Sequence, residues 1–286
     1  MGFLSEKPSV SFKNPVFCGI LANTLLSMVP GISGAGPTPE KTLLTPILDA
    51  ELVATGSVLS HPFKPNTPTG CPTPSSITRA MISLMGIEPL FVNAGLRHTP
   101  TVPCYDVYGQ VGEDPRFRDA VPHAHVLFKH GESLGKFLSR TSDLLVLGEC
   151  VPGGTTTALC VLRALGYEAS VSSSFIENPV TIKEDICSKA LARISSDSIT
   201  NPIDIIRYTG DPMMPVAAGI IKSYSGNIIL AGGTQMLSVA ALVKALGMVP
   251  PAVVTTSYVR DDPTANVDHL AHRIGACIYY VDPGFG

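Results

Sequence analysis

The sequence predicts an α/β protein of the Rossmann-like kind, with a mostly parallel sheet, helices on both faces and a smaller N-terminal region of loops and helices. Three observations predict this fold class. Short apolar runs alternate with segments of helical length from residue 76 onwards, and glycine turns follow several of these runs. The chain also has 286 residues, enough for one large hydrophobic core.

Residues 1–75 form the first predicted unit, a small lobe that contributes to the rim of an active site. Residues 29–75 are rich in Pro, Gly, Ser and Thr, so long helices are not expected there. Apolar residues such as Ile47 and Leu52 are interleaved with them. This mixture favours ordered loops around a site over a disordered linker.

Residues 76–286 form the second predicted unit, an α/β nucleotide-binding core. A strand is expected where apolar residues run together, and a helix where they recur every three or four positions. In chain order, these patterns predict helix 77–85, strand 90–92, helix 120–138, strand 144–147, helix 155–165, strand 169–172, helix 180–194, helix 215–222, strand 228–230, helix 235–246, strand 252–255, helix 264–274 and strand 277–281.

The segment 143–166 indicates function more directly than any other. A buried strand is broken by glycines and a proline, and three threonines then open a helix. Backbone N–H groups converge at such a turn, the helix start adds partial positive charge, and hydroxyls can donate to an anion. The pattern predicts a phosphate cradle made by Gly153, Gly154, Thr155 and Thr156. The alternative is an ordinary strand-to-helix turn with a threonine cap.

Two common nucleotide motifs are absent from this segment. It has neither the Gly-Lys-Ser/Thr ending of a P-loop nor Gly-x-Gly-x-x-Gly, so a conventional dinucleotide fold is not expected. Glu149 lies at the carboxyl end of the predicted strand, where ligands bind in open α/β sheets. A carboxylate beside a phosphate is unfavourable, so we expect Glu149 to serve another part of the ligand. Alternatively, it accepts hydrogen bonds from the loop.

Three further predicted strands end in turns rich in glycine and hydroxyl groups, at 93–95, 232–234 and 255–257. Right-handed crossovers place the carboxyl ends of parallel strands on one edge of the sheet. We therefore expect all four turns to surround one nucleotide-sized crevice. The residues that these three turns contribute to substrate binding are predicted to be Asn93, Gly233 and Ser257.

Composition argues against several classes of protein. The net charge of −3 gives no general basis for nucleic-acid binding. The 7 cysteines are scattered without a C-x-x-C pair, which indicates reduced thiols in a cytoplasmic protein. No apolar run approaches the ~18 residues of a membrane span, and no signal peptide is apparent. His269 and His272 lack a third ligand, so no metal is expected.

Four segments together resemble the UPF0284 family. They are Pro-Gly-Ile-Ser-Gly-Ala-Gly at 30–36, Pro-Thr-Pro at 72–74, Val-Asn-Ala-Gly-Leu at 92–96, and 148–158 with its Gly-Glu and Gly-Gly-Thr-Thr-Thr-Ala. The resemblance covers nearly the whole chain. That family is similar in turn to nicotinate-nucleotide–dimethylbenzimidazole phosphoribosyltransferase, an enzyme of cobamide assembly.

This resemblance implies a reaction and a set of site residues. A 5-phosphoribosyl group would move from nicotinate mononucleotide to a benzimidazole or related aromatic base, without cofactor or metal. Glu149 is the implied catalytic residue, and the glycine–threonine loop holds the nucleotide. Lys183 matches the lysine that reaches the phosphate, the alternative being a solvent-facing helix position. A homodimer is also implied.

The sequence departs from the enzyme family at several positions. A glycine replaces an asparagine in the loop, and the turn at 232–234 lacks an acidic residue. The enzyme family's catalytic base is a glutamate near the C-terminus, and this sequence ends at Gly286 before such a segment, so we expect a C-terminal segment to be missing. A non-catalytic nucleotide-binding protein of the same fold, or an unrelated α/β nucleotide-using enzyme, are the alternatives.

Overall fold

The computed structural model describes residues 4–6, 9–67, 69–175 and 177–284. Within these ranges seven strands form one sheet: β1 Pro15–Ala22, β2 Pro89–Gly95, β3 Tyr105–Asp106, β4 Leu144–Cys150, β5 Asn227–Ala231, β6 Ala252–Thr256 and β7 Ile278–Val281. Their order is β3-β2-β1-β4-β5-β6-β7, and every pair is parallel. The predicted α/β class is confirmed, and the sheet is parallel throughout.

Helices connect the strands. In the described ranges they are α1 Pro39–Thr42, α2 Thr45–Thr55, α3 Ser75–Met85, α4 Ala124–Leu138, α5 Gly154–Ala164, α6 Val180–Ser196, α7 Pro202–Thr209, α8 Met213–Ser223, α9 Thr234–Ala245, α10 Ser257–Arg260 and α11 Val267–Ile274. A 3₁₀ turn spans Leu25–Met28. None of these helices is both long and apolar enough to cross a membrane.

Alternate residues of β1 enter two different apolar clusters. Cys18 and Ile20 belong to the main core, together with residues of α4, α5, α8 and α9. Leu21 belongs to a second cluster with Ala50 of α2 and Ile82 of α3. Because neighbouring side chains of a strand point to opposite faces, the sheet is covered by helices on both sides, as the sequence predicts.

The position of β1 differs from the expectation that strands and helices alternate only from about residue 76 onwards. This strand lies at the centre of the sheet, between β2 and β4. Its sequence, Pro-Val-Phe-Cys-Gly-Ile-Leu-Ala, is an apolar run typical of a parallel strand buried on both faces. The predicted unit of residues 1–75 therefore contributes a central strand to the sheet of the second unit.

The strand predicted at 169–172 is wrong, since this segment has no strand in the structure. The backbone groups of this segment form hydrogen bonds with side chains, and not with a neighbouring strand. Arg163 donates to the Ala169 carbonyl from Nε and Nη2, at 3.2 and 3.0 Å. The Ser170 N–H donates to Asn266 at 2.9 Å. The segment is apolar because Ala169 and Val171 are buried in the main core, which explains why it resembles a strand.

Candidate functional site

A cavity of about 410 Å³ lies at the carboxyl ends of β1 and β4, on the face of the sheet that α2 covers. Its apolar part is lined by Phe17, Leu21, Val53 and Phe91. Residues 32–35, residues 72–75 and the turn between β4 and α5 provide the other walls. The cavity thus combines an apolar surface with a polar turn at the sheet edge where α/β proteins bind ligands.

Two glycines make room for the aromatic rings of the cavity. A Cβ atom at Gly19 would lie 3.1 Å from Phe91 Cδ1, and one at Gly148 would lie 3.0 Å from Phe17 Cε2. Larger residues at these strand positions would displace the rings. The apolar surface therefore depends on glycine in β1 and in β4.

The turn between β4 and α5 has a geometry suited to an anion. Gly153 has φ of +83°, in the left-handed region that favours glycine. A Cβ at Gly154 would overlap the side-chain amide of Gln235. Among the described residues, no carbonyl accepts from the N–H of Gly153 or of Thr155. Two donors at the start of an eleven-residue helix are thus available to a ligand.

Glu149 lines the same cavity. Its Oε2 accepts the Val151 N–H at 3.1 Å, so it does accept a hydrogen bond from the loop. Burial raises the pKa of Glu149 to about 8, and the negative charges of Asp211 and Asp49 contribute to this rise. In the ligand-free protein this carboxyl is therefore mainly neutral at pH 7.

A fully buried carboxyl, Asp211, lies behind Glu149 and orders the turn. Its Oδ2 accepts from Thr157 Oγ1 at 2.7 Å and from Gln235 Nε2 at 3.0 Å. Its Oδ1 accepts the Met213 N–H at 3.1 Å. Burial raises the pKa of Asp211 to about 6. These bonds join α5, α8 and α9, and they fix Gln235, which lines the cavity.

Asp49 of α2 is a cavity residue that the sequence analysis did not identify. Its Oδ1 accepts from Thr73 Oγ1 at 2.8 Å and from Ser75 Oγ at 3.0 Å. The thiol of Cys150 donates to Oδ2 at 3.4 Å. Burial raises the pKa of Asp49 to about 6. One signal in the sequence was available, namely two acidic residues, Asp49 and Glu51, inside the otherwise apolar stretch 46–53.

The structure brings four predicted site residues together at the cavity wall: Glu149, Gly153, Gly154 and Thr155. Thr156 is next in the chain but fully buried. Its hydroxyl has no hydrogen-bond partner within the described part of the chain. Thr156 therefore belongs to the inside of the turn, not to the cavity surface.

Lys183 is buried and does not line the cavity, which excludes the solvent-facing alternative. Its Nζ donates to the Ser172 carbonyl at 2.7 Å. Desolvation lowers the pKa of Lys183 to about 8, against the opposing effect of Asp262. The ammonium group is therefore one layer behind segment 172–174, whose Ser174 does line the cavity.

The three remaining predicted residues also lie outside the cavity lining. Asn93 closes its own turn, since Oδ1 accepts the N–H groups of Gly95 and Leu96 at 3.1 and 2.9 Å. A Cβ at Gly233 would lie 3.5 Å from Val259 of α10. Ser257 is buried at the start of that helix. In the ranges that the structure describes, no cluster of three His, Cys, Asp or Glu side chains could hold a metal ion.

Curated relatives decide the family. A UPF0284 protein from Methanosarcina mazei is 40% identical over 99% of this chain and 83% of its own length. Another UPF0284 protein, from Thermococcus gammatolerans, is 41% identical over 94% of this chain and 83% of its own. This chain belongs to the UPF0284 family. No protein-family model matches its sequence.

Solved structures confirm the fold of this UPF0284 protein. The crystal structure of nicotinate-nucleotide–dimethylbenzimidazole phosphoribosyltransferase from Thermus thermophilus matches 96% of this chain and 77% of that one, with a TM-score of 0.67 and 16% identity. A structure of CobT from the same organism matches 93% and 75%, with a TM-score of 0.67 and 15% identity. The similarity concerns the fold.

Proposed function

We propose that this UPF0284 protein is a phosphoribosyltransferase that moves a 5-phosphoribosyl group from nicotinate mononucleotide to a benzimidazole-type base. One observation carries the proposal: a single cavity contains unpaired N–H donors at a helix start, an aromatic surface and carboxyl groups, all within the described residues. A nucleotide and a flat base require this combination. The shared fold of the Thermus thermophilus enzyme supports the same activity.

In this proposal the turn between β4 and α5 holds the phosphate. The N–H groups of Gly153 and Thr155 donate to its oxygens, and the Thr155 hydroxyl adds a third donor. The ammonium group of Lys183 lies behind segment 172–174 of the cavity wall, where it donates to the Ser172 carbonyl. It attracts the phosphate by its charge and does not contact it. Asn93, Gly233 and Ser257 stay predictions as nucleotide-binding residues.

Glu149 is the proposed catalytic residue at the ribose. The pyridinium ring of the bound nucleotide is positive, so it lowers the pKa of the neighbouring Glu149 carboxyl and favours its ionised form. As nicotinate leaves, positive charge develops on the anomeric carbon C1′. The carboxylate of Glu149 then stabilises that charge.

Product formation tests the proposal. The purified protein is incubated with nicotinate mononucleotide and 5,6-dimethylbenzimidazole, and the α-riboside phosphate is separated by chromatography and identified by mass. Calorimetry on the same sample measures nucleotide binding. Product from the wild type and not from Glu149→Gln supports the proposal. Binding without product from any azole or purine would instead favour the non-catalytic nucleotide-binding protein.

A further inference from the structure

The carboxylate of Asp49 is held by neighbours that leave one oxygen available. Oδ1 has two hydroxyl donors, Thr73 and Ser75, at 2.8 and 3.0 Å. Within the described residues, Oδ2 has one partner, the thiol of Cys150 at 3.4 Å. A thiol is a weak donor, and each carboxylate oxygen accepts about two hydrogen bonds. Oδ2 can therefore accept a strong hydrogen bond from a ligand.

The surroundings of Asp49 suit the aromatic base better than the sugar phosphate. Asp49 shares one face of α2 with Ala50 and Val53, and all three line the cavity. The rings of Phe17 and Phe91 belong to the same apolar surface. A flat base resting there would have to satisfy any ring N–H with a buried acceptor. Asp49 provides a carboxylate beside that apolar surface.

We propose that Asp49 accepts the ring N–H of the incoming base and takes its proton during transfer. The inference rests on the proposed function, and it assigns to a residue of α2 the proton-accepting role that the family resemblance gives to a C-terminal glutamate. It predicts that acceptors are azoles or purines with a ring N–H.

The step balances in atoms and charge. The N–H bond of the base breaks, and its proton moves to Oδ2 of Asp49. The lone pair of the other ring nitrogen forms a bond to C1′ of the ribose. The bond between C1′ and the nicotinate nitrogen breaks, and its electron pair stays on that nitrogen, which loses its positive charge. Asp49 then releases the proton to solvent.

The ionisation of the neighbouring groups supports this role. Among the residues that the structure describes, Glu149 and Cys150 are the titratable groups that face Asp49, and burial raises the pKa of both, that of Glu149 to about 8. Burial raises the pKa of Asp49 only to about 6, because three donors hold its ionised form. In the ligand-free protein at pH 7, Asp49 is thus the anion among these three groups, and it is more basic than an ordinary aspartate.

A pair of ligands tests the proposal without a change in the protein. Benzimidazole carries a ring N–H, and 1-methylbenzimidazole carries a methyl group in its place. We expect the wild type to bind benzimidazole about ten- to hundredfold more tightly in calorimetry, because a hydrogen bond to a carboxylate is lost in the methylated ligand. Equal affinities, or binding of neither ligand, would overturn the proposal.

Two matched variants on α2 locate the effect. Asp49→Asn keeps the volume of the side chain but removes the anion, and it should lose the preference for benzimidazole. Glu51→Gln makes the same change two residues further on. Glu51 accepts from the Leu59 and Ser60 N–H groups and does not line the cavity. It should keep the preference. Melting temperatures confirm that both variants are folded.

The product assay separates the two proposals. If the wild type forms product, Asp49→Asn should slow transfer by about 10²- to 10⁴-fold at saturating nucleotide, as loss of a general base does. An unchanged rate or an unchanged ligand preference would overturn the role of Asp49. If the wild type forms no product but shows the Asp49-dependent preference for benzimidazole, the transferase function fails and the base site stands.

Discussion

The role of Gly153 in phosphate binding can be tested with an alanine substitution and a control at a second glycine of the same backbone conformation. We expect Gly153→Ala to weaken the binding of nicotinate mononucleotide at least fivefold. The new Cβ would lie 3.3 Å from the Ser27 nitrogen, and alanine resists the φ of +83°, so the N–H groups of the turn would shift. The left-handed conformation itself costs about 1 kcal/mol for alanine.

Gly166 supplies the control, because it has φ of +87° and nothing within 4 Å of an added Cβ among the described residues. Gly166→Ala should lower the melting temperature by a similar amount and leave nucleotide affinity unchanged. Calorimetry and thermal unfolding of both variants decide the matter. If both variants bind the nucleotide as the wild type does, the turn is not the phosphate cradle.

A substitution at Lys183 tests whether its ammonium group attracts the phosphate without contacting it. Lys183→Met keeps an unbranched side chain that is one atom shorter and removes its charge. We expect it to weaken binding of nicotinate mononucleotide several-fold and to leave binding of nicotinate riboside, which lacks the phosphate, unchanged. Calorimetry with both ligands measures the difference. Equal losses would show that Lys183 acts only by holding the Ser172 carbonyl.

At the scale of single residues, the sequence predicted those that form a local pattern. The cradle was predictable because its glycines and threonines are adjacent in the chain. Asp49 was not, because its partners Thr73, Ser75 and Cys150 are 24, 26 and 101 residues away. Lys183 was matched by resemblance, but only the fold shows that Ser172 lies between it and the cavity.

At the scale of elements, periodicity predicted the unit of β4, turn and α5 almost to its ends. Periodicity failed where hydrogen bonds from distant side chains replace the expected hydrogen bonds between strands. The segment 169–172 has the apolar residues of a strand, yet side chains satisfy its backbone. Asn266 is one of them, with Oδ1 accepting the Ser170 N–H and Nδ2 donating to the Glu168 carbonyl, at 2.9 and 2.8 Å.

We therefore expect Asn266→Ala to destabilise the protein by about 1 to 3 kcal/mol, since it removes two hydrogen bonds. Asn227→Ala is the control, because Asn227 is exposed at the start of β5. Urea unfolding measures both. If the two variants unfold at the same urea concentration, the contacts of Asn266 do not hold this segment.

At the scale of the whole molecule, the cavity joins distant parts of the chain. Its walls include residues of the predicted small lobe and residues of β4, and β1 lies between β2 and β4. Strand order depends on contacts between segments far apart, so local patterns predicted the class of the fold and not the central place of residues 15–22. Asp49, Glu149 and Asp211 are also far apart in the chain, so local patterns did not predict that their carboxyl groups form a cluster.

This cluster predicts how stability depends on pH. The pKa values of Asp49, Glu149 and Asp211 rise on folding, to about 6, 8 and 6. The folded state therefore binds their protons more tightly than the unfolded state, and stability is lost as pH rises through these values. Carboxyls with lowered pKa, such as Asp143, act in the opposite sense, but only below about pH 4.

The melting temperature of the ligand-free protein should accordingly fall between pH 5 and pH 8.5. Lys183, whose pKa is lowered to about 8, adds stability only as pH rises above that value. Glu149→Gln removes the largest of the three shifts, so its melting temperature should change less over this range, and the variant should be the more stable protein at pH 8.5. Thermal unfolding at constant ionic strength measures both slopes. Parallel slopes for wild type and variant would mean that Glu149 is solvated well enough to ionise freely, and the strong stabilisation of charge at C1′ proposed for it would then lose its physical basis.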